Sequence, residues 1–427
     1  VKTEPPAGIY EIVQVRKNYA VGQMDGYRIL IYSDEDVYLQ DQYEIKSFKE
    51  VHSTNNEGSF SFMDYARKQG IYYQAEERVS KPLQRKDSLP NRILKAIRNH
   101  PDSELYEYLV YGWTAKDSAE WIASLGLPVM GFLSLAGSFL RRNGLKVHEW
   151  WILCGFIVFY GSLFVWTVAL ARAALFRLIS SLVQKDALKL PLSIFAFCFL
   201  MPHQASSFAF VLPSAAGLMS RFALKPKDAK WASVALCAGL QAVYFSSINP
   251  AGLFLFPFLR KLAGWIFLLF SLLFFFPDIW LVEQASRWLN EILTSEVIIW
   301  HGMARPVFKL CLLTALILWL LYPVQKKWIL AAALLVHPAS YALDPFFHVY
   351  VLDVGQGDCT LIVEPFQKSA VMIDAAGNLS DNIYKSSIAP FLKSHGIRKL
   401  DALIITHDDL DHCGSKDAGL KEYPDCQ

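Results

Sequence analysis

The sequence predicts a multi-domain protein in three parts. A small β-barrel comes first, then a polytopic α-helical membrane domain, then the N-terminal part of an α/β domain. Three observations predict this. The chain has 427 residues, enough for two or three domains. It is 53% hydrophobic and 14% aromatic but only 19% charged, which is sparse charge for a soluble protein of this size. The charge is also uneven: polar turns are frequent up to about Asp117, apolar runs dominate from Trp121 to about Ala342, and polar text returns after Pro345. The boundaries expected from these shifts are 1–82 for the barrel, 83–118 for a basic amphipathic linker helix, 119–345 for the membrane domain and 346–427 for the last domain.

In the first part, "IYEIVQV" alternates apolar and polar residues, "YRILIYS" follows a Gly-containing turn, and "YEIKSFKEV" follows Asp41. About five such short strands predict a barrel of the OB type, whose exposed face commonly binds single-stranded nucleic acid. The segment "SFSFMDYARKQGIYYQA" adds aromatic and basic residues. It reads either as a base-stacking platform or as the packed aromatic edge of a small domain. In "RKDSLPNRILKAIRNH" a helix after Pro90 carries Arg92, Lys95 and Arg98 beside Ile93, Leu94 and Ile97. A basic amphipathic helix before a first span is expected to lie on lipid headgroups.

The middle part contains several runs near the roughly 20 apolar residues a spanning helix needs. They are Trp121–Leu140, Trp150–Ala171, Ala205–Met219, Trp231–Ile248, Leu262–Phe276 and Val307–Val324, with the shorter Leu188–Met201 and Trp328–Ser340. Asn249, Pro250 and Pro257 interrupt one apolar block, and broken helices in a bilayer are tolerated where they face protein or a water-filled path. Basic loops at Arg141–Lys146 and Lys326–Lys327 place both soluble parts outside the cell. Arg172 and Arg177 read either as snorkelling anchors or as a polar lining for an anionic substrate. Arg172 and Asn249 are the candidate channel residues. The net charge of +2 says nothing about nucleic acid, and the seven cysteines form no disulfide framework.

In the last part, "HVYVLDVGQGDCTLIVE" is a strand, a Gly-rich turn and a strand, without the spacing of a dinucleotide fingerprint. "SAVMIDAAGN" is a third strand ending in Asp374. "IAPFLKSHGIRKLDALIITH" is a helix, a turn and a strand that delivers His407. Short strands followed by a His/Asp cluster at a strand end begin a metallo-β-lactamase fold. Ligands crowded into one such loop suit two adjacent metals that clamp a phosphodiester and activate water. The candidate ligands are His407, Asp409, Asp411 and His412.

"LDVGQGD" (Leu352–Asp358), "IDAAGN" and "THDDLDH" together resemble the external domain of ComEC-type competence membrane proteins, which import transforming DNA. "FMDYARKQGIYYQA", "VALARAALF" (Val168–Phe176) and "YFSSINPAGLFLFP" (Tyr244–Pro257) resemble further segments of that family. The family's His-bearing stretch early in the competence domain is replaced here by "LPVMGFLSLAGSFL" (Leu127–Leu140). The resemblance implies a channel for single-stranded DNA across the bacterial cytoplasmic membrane. It implies an external DNA-receptor protein, an ATP-dependent helicase-like motor in the cytoplasm, and membrane lipid as partners, with homo-oligomers possible. It also implies motif roles for Asp353, Gly355, Gln356, Gly357, Asp358 and Asp374, and a catalytic role for Asp411. By the same analogy His407 and Asp409 begin one metal site and Asp411 and His412 the other, with manganese or zinc both admissible.

The family's domain continues beyond the HxDxDH motif and supplies further ligands, and the family has spans before the position of Val1. The chain is therefore expected to be a fragment of a longer protein, with metal binding in doubt and no nuclease activity of its own. The alternative function is a membrane-anchored metallohydrolase outside DNA transport. Numerous interrupted spans favour the channel, because an anchor needs only one. No GxxxxGK[ST] loop occurs, so transport energy is expected from a partner.

Overall fold

The computed structural model describes residues 4–52, 56, 61–113, 126–164, 166–222, 226–245, 247–275, 280, 284, 300–301, 343–355, 357–378 and 382–426. It divides into two compact units. One comprises Val1–Val51, Met63–Leu218 and Phe254–Val297, the other His52–Phe62, Met219–Leu253 and Ile298–Gln427.

The first unit opens with strands β1 (Gly8–Val15), β2 (Ala20–Met24), β3 (Tyr27–Ile31), β4 (Gln42–Ile45) and β5 (Phe48–Glu50). Helix α1 (Phe62–Lys68) and strand β6 (Tyr73–Ala75) follow. Alternation in β1 buries Tyr10 and Ile12, and a bulge between Ile12 and Gln14 shifts the next buried position to Val15. The β2–β3 hairpin turns on Asp25 and Gly26, both at positive φ, as a tight two-residue turn requires. The sheet order is β4-β1-β2-β3-β6-β5, and β3 pairs with β6 in parallel. Its two end strands, β4 and β5, are separated in the chain only by Lys46 and Ser47. The sheet therefore curls until its ends are near neighbours.

Helix α2 (Leu89–Arg98) starts at a favourable Pro and buries Asn91, Leu94 and Ile97. Asn91 bonds both the N–H and the C=O of Leu39. Arg98 donates to the carbonyl of Val37 and pairs with Asp36, and Arg92 pairs with Asp87. Two of the three cations expected on headgroups are thus committed to protein carboxylates, and only Lys95 stands on the exposed face without an ion pair to a described residue. After α3 (Ser103–Tyr111) the same apolar core continues through Tyr106, Leu109 and Trp113 to Val129, Leu153, Ile157 and Phe267.

The helices that follow are α4 (Leu127–Arg142), α5 (Lys146–Leu163), α6 (Val168–Leu182), α7 (Asp186–Leu200), α8 (Phe208–Phe222), α9 (Pro226–Phe245) and α10 (Pro250–Leu273). The run Trp150–Ala171, expected as one span, is divided between α5 and α6. Thr167 caps α6 by accepting the Leu170 N–H at 3.3 Å, which supplies a partner that a continuous helix would have provided. Among the described residues no helix is long and apolar enough to cross a membrane. The expected spans Val307–Val324 and Trp328–Ser340 lie outside the described residues, as do the first residues of Trp121–Leu140. Large apolar side chains nevertheless face outward on these helices, among them Trp151, Phe159, Phe195 and Phe199.

In the second unit, β7 (Ser247–Ile248) pairs antiparallel with β8 (Trp300–His301) just before the Asn249-Pro250 break. The last part holds β9 (His348–Val351), β10 (Thr360–Val363), β11 (Ala370–Ile373) and β12 (Ala402–Ile404) in the order β12-β11-β10-β9. The β11–β12 pair is parallel, joined through a short π-helix at Tyr384–Ile388 and helix α11 (Ala389–Ser394). Leu361, Met372, Ile388 and Leu392 form the fully buried centre between sheet and helix. Short helices α12 (Leu410–Cys413) and α13 (Lys416–Glu422) follow β12.

Candidate metal centre

Two adjacent parallel strands deliver the centre. Asp374 directly follows the end of β11, and Ile405 and Thr406 lead from the end of β12 to His407. Asp374 is buried at 4% exposure, with its N–H bonded to the carbonyl of Ile404. One carboxylate oxygen accepts the Thr406 N–H at 2.8 Å, the Thr406 hydroxyl lies 2.8 Å from the other, and His412 Nδ1 stands 2.9 Å from that second oxygen. Burial alone would raise the Asp374 carboxyl. The Thr406 N–H, His412 and the Thr406 hydroxyl outweigh it and hold the group below its ordinary range. His412 moves the other way, raised first by its bond to Asp374 against a smaller opposing effect of burial.

These bonds set the tautomers. An ionised carboxylate only accepts, so His412 carries its proton on Nδ1 and turns Nε2 outward. The Thr406 hydroxyl donates to Asp374 and so receives the Nδ1–H of His407, 3.0 Å away. His407 Nε2 is left free of that relay. The two imidazole rings lie 3.7 Å apart between centroids. One donor atom on each of His407, Asp411 and His412 falls within 4.8 Å of the others. Two imidazole nitrogens held by second bonds to a hydroxyl and a carboxylate, plus an exposed carboxylate, are a donor set suited to a divalent metal.

The Gly-rich turn after β9 joins this cluster through its backbone. Asp358 donates its N–H to the carbonyl of Asp411, and its carbonyl accepts the Ala376 N–H. Its carboxylate stands 3.9 Å from His412 Nε2, and Asp411 presents an oxygen 3.8 Å from the same nitrogen. Gly357, at φ +100°, lies so close to the carbonyl oxygen of Asp411 that a Cβ would sit 2.1 Å from it. Gly355 is also at positive φ, but with open space around it. Asp353 caps its own turn by accepting the Gly355 N–H, and Gln356 lies outside the described residues.

The structure therefore brings together His407, Asp411, His412, Asp374 and Asp358. Asp409 stays beside His407, 3.5 Å from Nε2, but is 80% exposed and outside the three-donor group. The expected pairing of His407 with Asp409 and of Asp411 with His412 differs from this grouping, because the first turn of α12 swings Asp411 back toward both rings. Two contributors were not read as site residues. Thr406 links His407 to Asp374, which binds His412 directly. Asn56 pairs with both backbone groups of Asp353, at 2.8 and 2.7 Å. Cys359 is close by but buried, and burial, with the Asp374 charge next, pushes its thiol up to about 12. It is no ready thiolate ligand.

The channel candidates stand apart from this centre in the sequence. Arg172 lines a cavity among α4 to α8. The backbone N–H of Asn249 bonds to the side chain of the buried Gln241 at 2.9 Å, which holds the break before Pro250.

Comparison with known proteins gives three findings. Residues 352–424 match the metallo-beta-lactamase superfamily, which implies divalent-metal binding. The chain is 28% identical over 172 residues to ComE operon protein 3 of Bacillus subtilis, covering 33% of this chain and 21% of that protein. It is 37% identical over 84 residues to Recombination protein 2 of Haemophilus influenzae, covering 19% of this chain and 10% of that protein. The matches thus span 21% and 10% of the lengths of these two relatives. No solved structure matches.

Proposed function

We propose, from the premise that this chain is a ComEC-family protein, that it serves uptake of single-stranded DNA across the bacterial cytoplasmic membrane, with a metal-dependent hydrolase domain at its C-terminal end. The observation that carries the hydrolase reading is the relay from Asp374 through Thr406 to His407 and directly to His412. It leaves two imidazole nitrogens and the Asp411 carboxylate on one exposed face.

His407, Asp411 and His412 would hold the ion, with manganese or zinc both compatible with nitrogen and carboxylate donors. When bound, it supplies Lewis acidity and lowers the pKa of water for attack on a phosphodiester. Asp374 and Thr406 fix the ring tautomers. Asp358 and Asp409 place further carboxylates within reach of the two rings, where they can orient water or take a second ion.

The remaining parts fit the same reading. The curled sheet with β3 parallel to β6 and its ends nearly joined supports an OB-type barrel for residues 1–82, a common platform for single strands. Outward-facing Trp151, Phe159, Phe195 and Phe199 support a polytopic membrane domain over 119–345, because a water-facing surface of such side chains is costly. The basic loops put both soluble parts outside. A receptor for external DNA and a cytoplasmic motor complete the proposed pathway.

The test replaces the host gene with His412→Ala and, separately, deletes it. Deletion should abolish transformation, and His412→Ala should leave the protein in the membrane while reducing cleavage of external DNA. Undiminished transformation in the deletion strain would sink the uptake reading. An impermeant thiol reagent should label cysteines placed at Lys49 and Asn378 in intact cells, and protection of both reverses the orientation.

A further inference from the structure

The outer edge of the last sheet carries a contact that the metal chemistry does not use. Strand β9 is an end strand, so one of its sides has no strand neighbour among the described residues. Leu352 donates its N–H inward to the carbonyl of Cys359. An extended strand alternates the direction of its backbone groups, so the N–H and C=O of Asp353 point to the open side. Asn56 takes both: its Nδ2 donates to the Asp353 carbonyl at 2.8 Å, and its Oδ1 accepts the Asp353 N–H at 2.7 Å. A carboxamide carries a donor and an acceptor side by side. One side chain thus stands in for a residue of a neighbouring strand. It comes from 297 positions earlier, on the connection between β5 and α1, within the same compact unit.

What the contact holds is the start of the Gly-rich turn. Gly355 and Gly357 are both at positive φ, and glycine has the most conformational freedom to lose. The far arm of the turn is fixed by the Asp358 N–H on the Asp411 carbonyl and by the Asp358 carbonyl on the Ala376 N–H. That arm brings the Asp358 carboxylate to 3.9 Å from His412 Nε2. It also supports the main chain of Asp411, whose carboxylate is one of the three clustered donors. The near arm has the Leu352 bond at its base, the local bond between Asp353 and Gly355, and Asn56. Of these three, only Asn56 comes from outside the hairpin that carries the turn.

We propose that Asn56 is a positioning residue of the metal centre: it clamps the Gly-rich turn so that Asp358 and the main chain of Asp411 stay in place beside His412. The proposal rests on the metal reading above. It adds that the connection between β5 and α1 takes part in building the centre.

The full chain, purified in a mild detergent, is compared with Asn56→Ala, Asn56→Asp and Glu50→Gln, the last at an exposed position of β5 outside the clamp. Two quantities are read. One is affinity for zinc or manganese against a chromophoric chelator. The other is backbone hydrogen exchange of the metal-free chain, resolved to single amides by fragmentation mass spectrometry. Asn56→Ala should lower metal affinity about three- to tenfold, as expected for two neutral hydrogen bonds that water partly replaces. Asn56→Asp keeps an acceptor for the Asp353 N–H but sets a carboxylate oxygen against the Asp353 carbonyl, so it should lose at least as much. Asn56→Ala should also speed exchange at Asp353 and, because the turn is released, at Asp358. Glu50→Gln should change neither quantity. A purely local role for Asn56 would speed exchange at Asp353 alone. Parental metal affinity in Asn56→Ala, or parental exchange at Asp353, overturns the proposal. A parent chain that binds neither ion undoes the metal reading instead, and exchange at Asp358 in Asn56→Ala then decides the clamp: faster exchange keeps it and parental exchange removes it.

Discussion

Asp374→Asn tests the candidate centre with almost no change in volume. The Asn oxygen can still accept the Thr406 N–H, now 2.8 Å from the carboxylate. The amide nitrogen, however, would face His412 Nδ1, which stands 2.9 Å from the second carboxylate oxygen. Two donors cannot share that contact, so His412 must move its proton to Nε2, the nitrogen that stands beside the carboxylates of Asp411 and Asp358. A protonated nitrogen cannot ligate. The loss of a partner that orients a metal-bound histidine typically costs 10–100-fold in affinity, or about 1.4–2.7 kcal/mol. Competition between the purified chain and a chromophoric chelator for zinc or manganese should show that drop. Circular dichroism should stay unchanged, because the substitution keeps the packing around a side chain only 4% exposed. Metal affinity within twofold of the parent would refute the tautomer argument.

Three further outcomes follow from the same geometry. Thr406→Val keeps the shape but removes the hydroxyl between Asp374 and His407, so metal affinity in the same competition should fall about tenfold while Thr406→Ser stays near the parent. Gly357→Ala places a Cβ against the Asp411 carbonyl at φ +100°, whereas Gly355→Ala meets only the backbone penalty of about 1–3 kcal/mol; thermal unfolding of the C-terminal domain should therefore fall clearly further for Gly357→Ala, and equal losses would contradict the close approach. Burial raises the Asp41 carboxyl above its ordinary range, with the Tyr38 N–H and Arg85 only partly opposing it. Its protonated form favours the fold, so that stabilisation is present below the unfolded-state value of about 4 and is lost as pH rises through the folded value. Asp41→Asn should gain on the parent over that rise, read from hydrogen-exchange protection of residues 38–42, and a difference that stays constant with pH would count against the burial argument.

The strands were legible where alternation and turn residues agree, as in Gly8–Val15, Tyr27–Ile31 and the run from His348 to Ile373. The His407 cluster was legible because an apolar strand ran straight into it. What could not be read depended on partners distant in sequence. The docking of α2 rests on Asp36, Leu39 and Val37, more than 50 residues before the groups they bind. Curling of the sheet rests on the parallel pairing of Ile29 with Tyr73. The division between α5 and α6 rests on one hydroxyl at Thr167 inside an apolar run whose hydropathy does not change. Thr406 escaped notice for a related reason: a threonine ending a strand is ordinary, and its role exists only once Asp374 lies beside it on the neighbouring strand.

The centre is built by backbone as much as by side chains, and this explains why its motifs are separated in the chain yet act at one place. The parallel register of β11 and β12 sets Ile373 opposite Ile404, so the next residues of both strands leave the sheet at the same edge. Asp374 takes the carbonyl of Ile404, Ala375 takes the carbonyl of His412, and Ser415 returns to the carbonyl of Ala375. The loop after β12 is thereby stitched along the loop after β11. A Cβ on Gly377 would lie 2.3 Å from the carbonyl of Leu410, which shows how closely the two backbones approach. The turn after β9 adds the third layer through the Asp358 bonds to Asp411 and Ala376. Each side chain of the centre therefore inherits its position from main-chain bonds made by a different loop. A substitution that only removes a ligand should leave this stitching intact, whereas one that adds a Cβ between the loops moves several ligands at once.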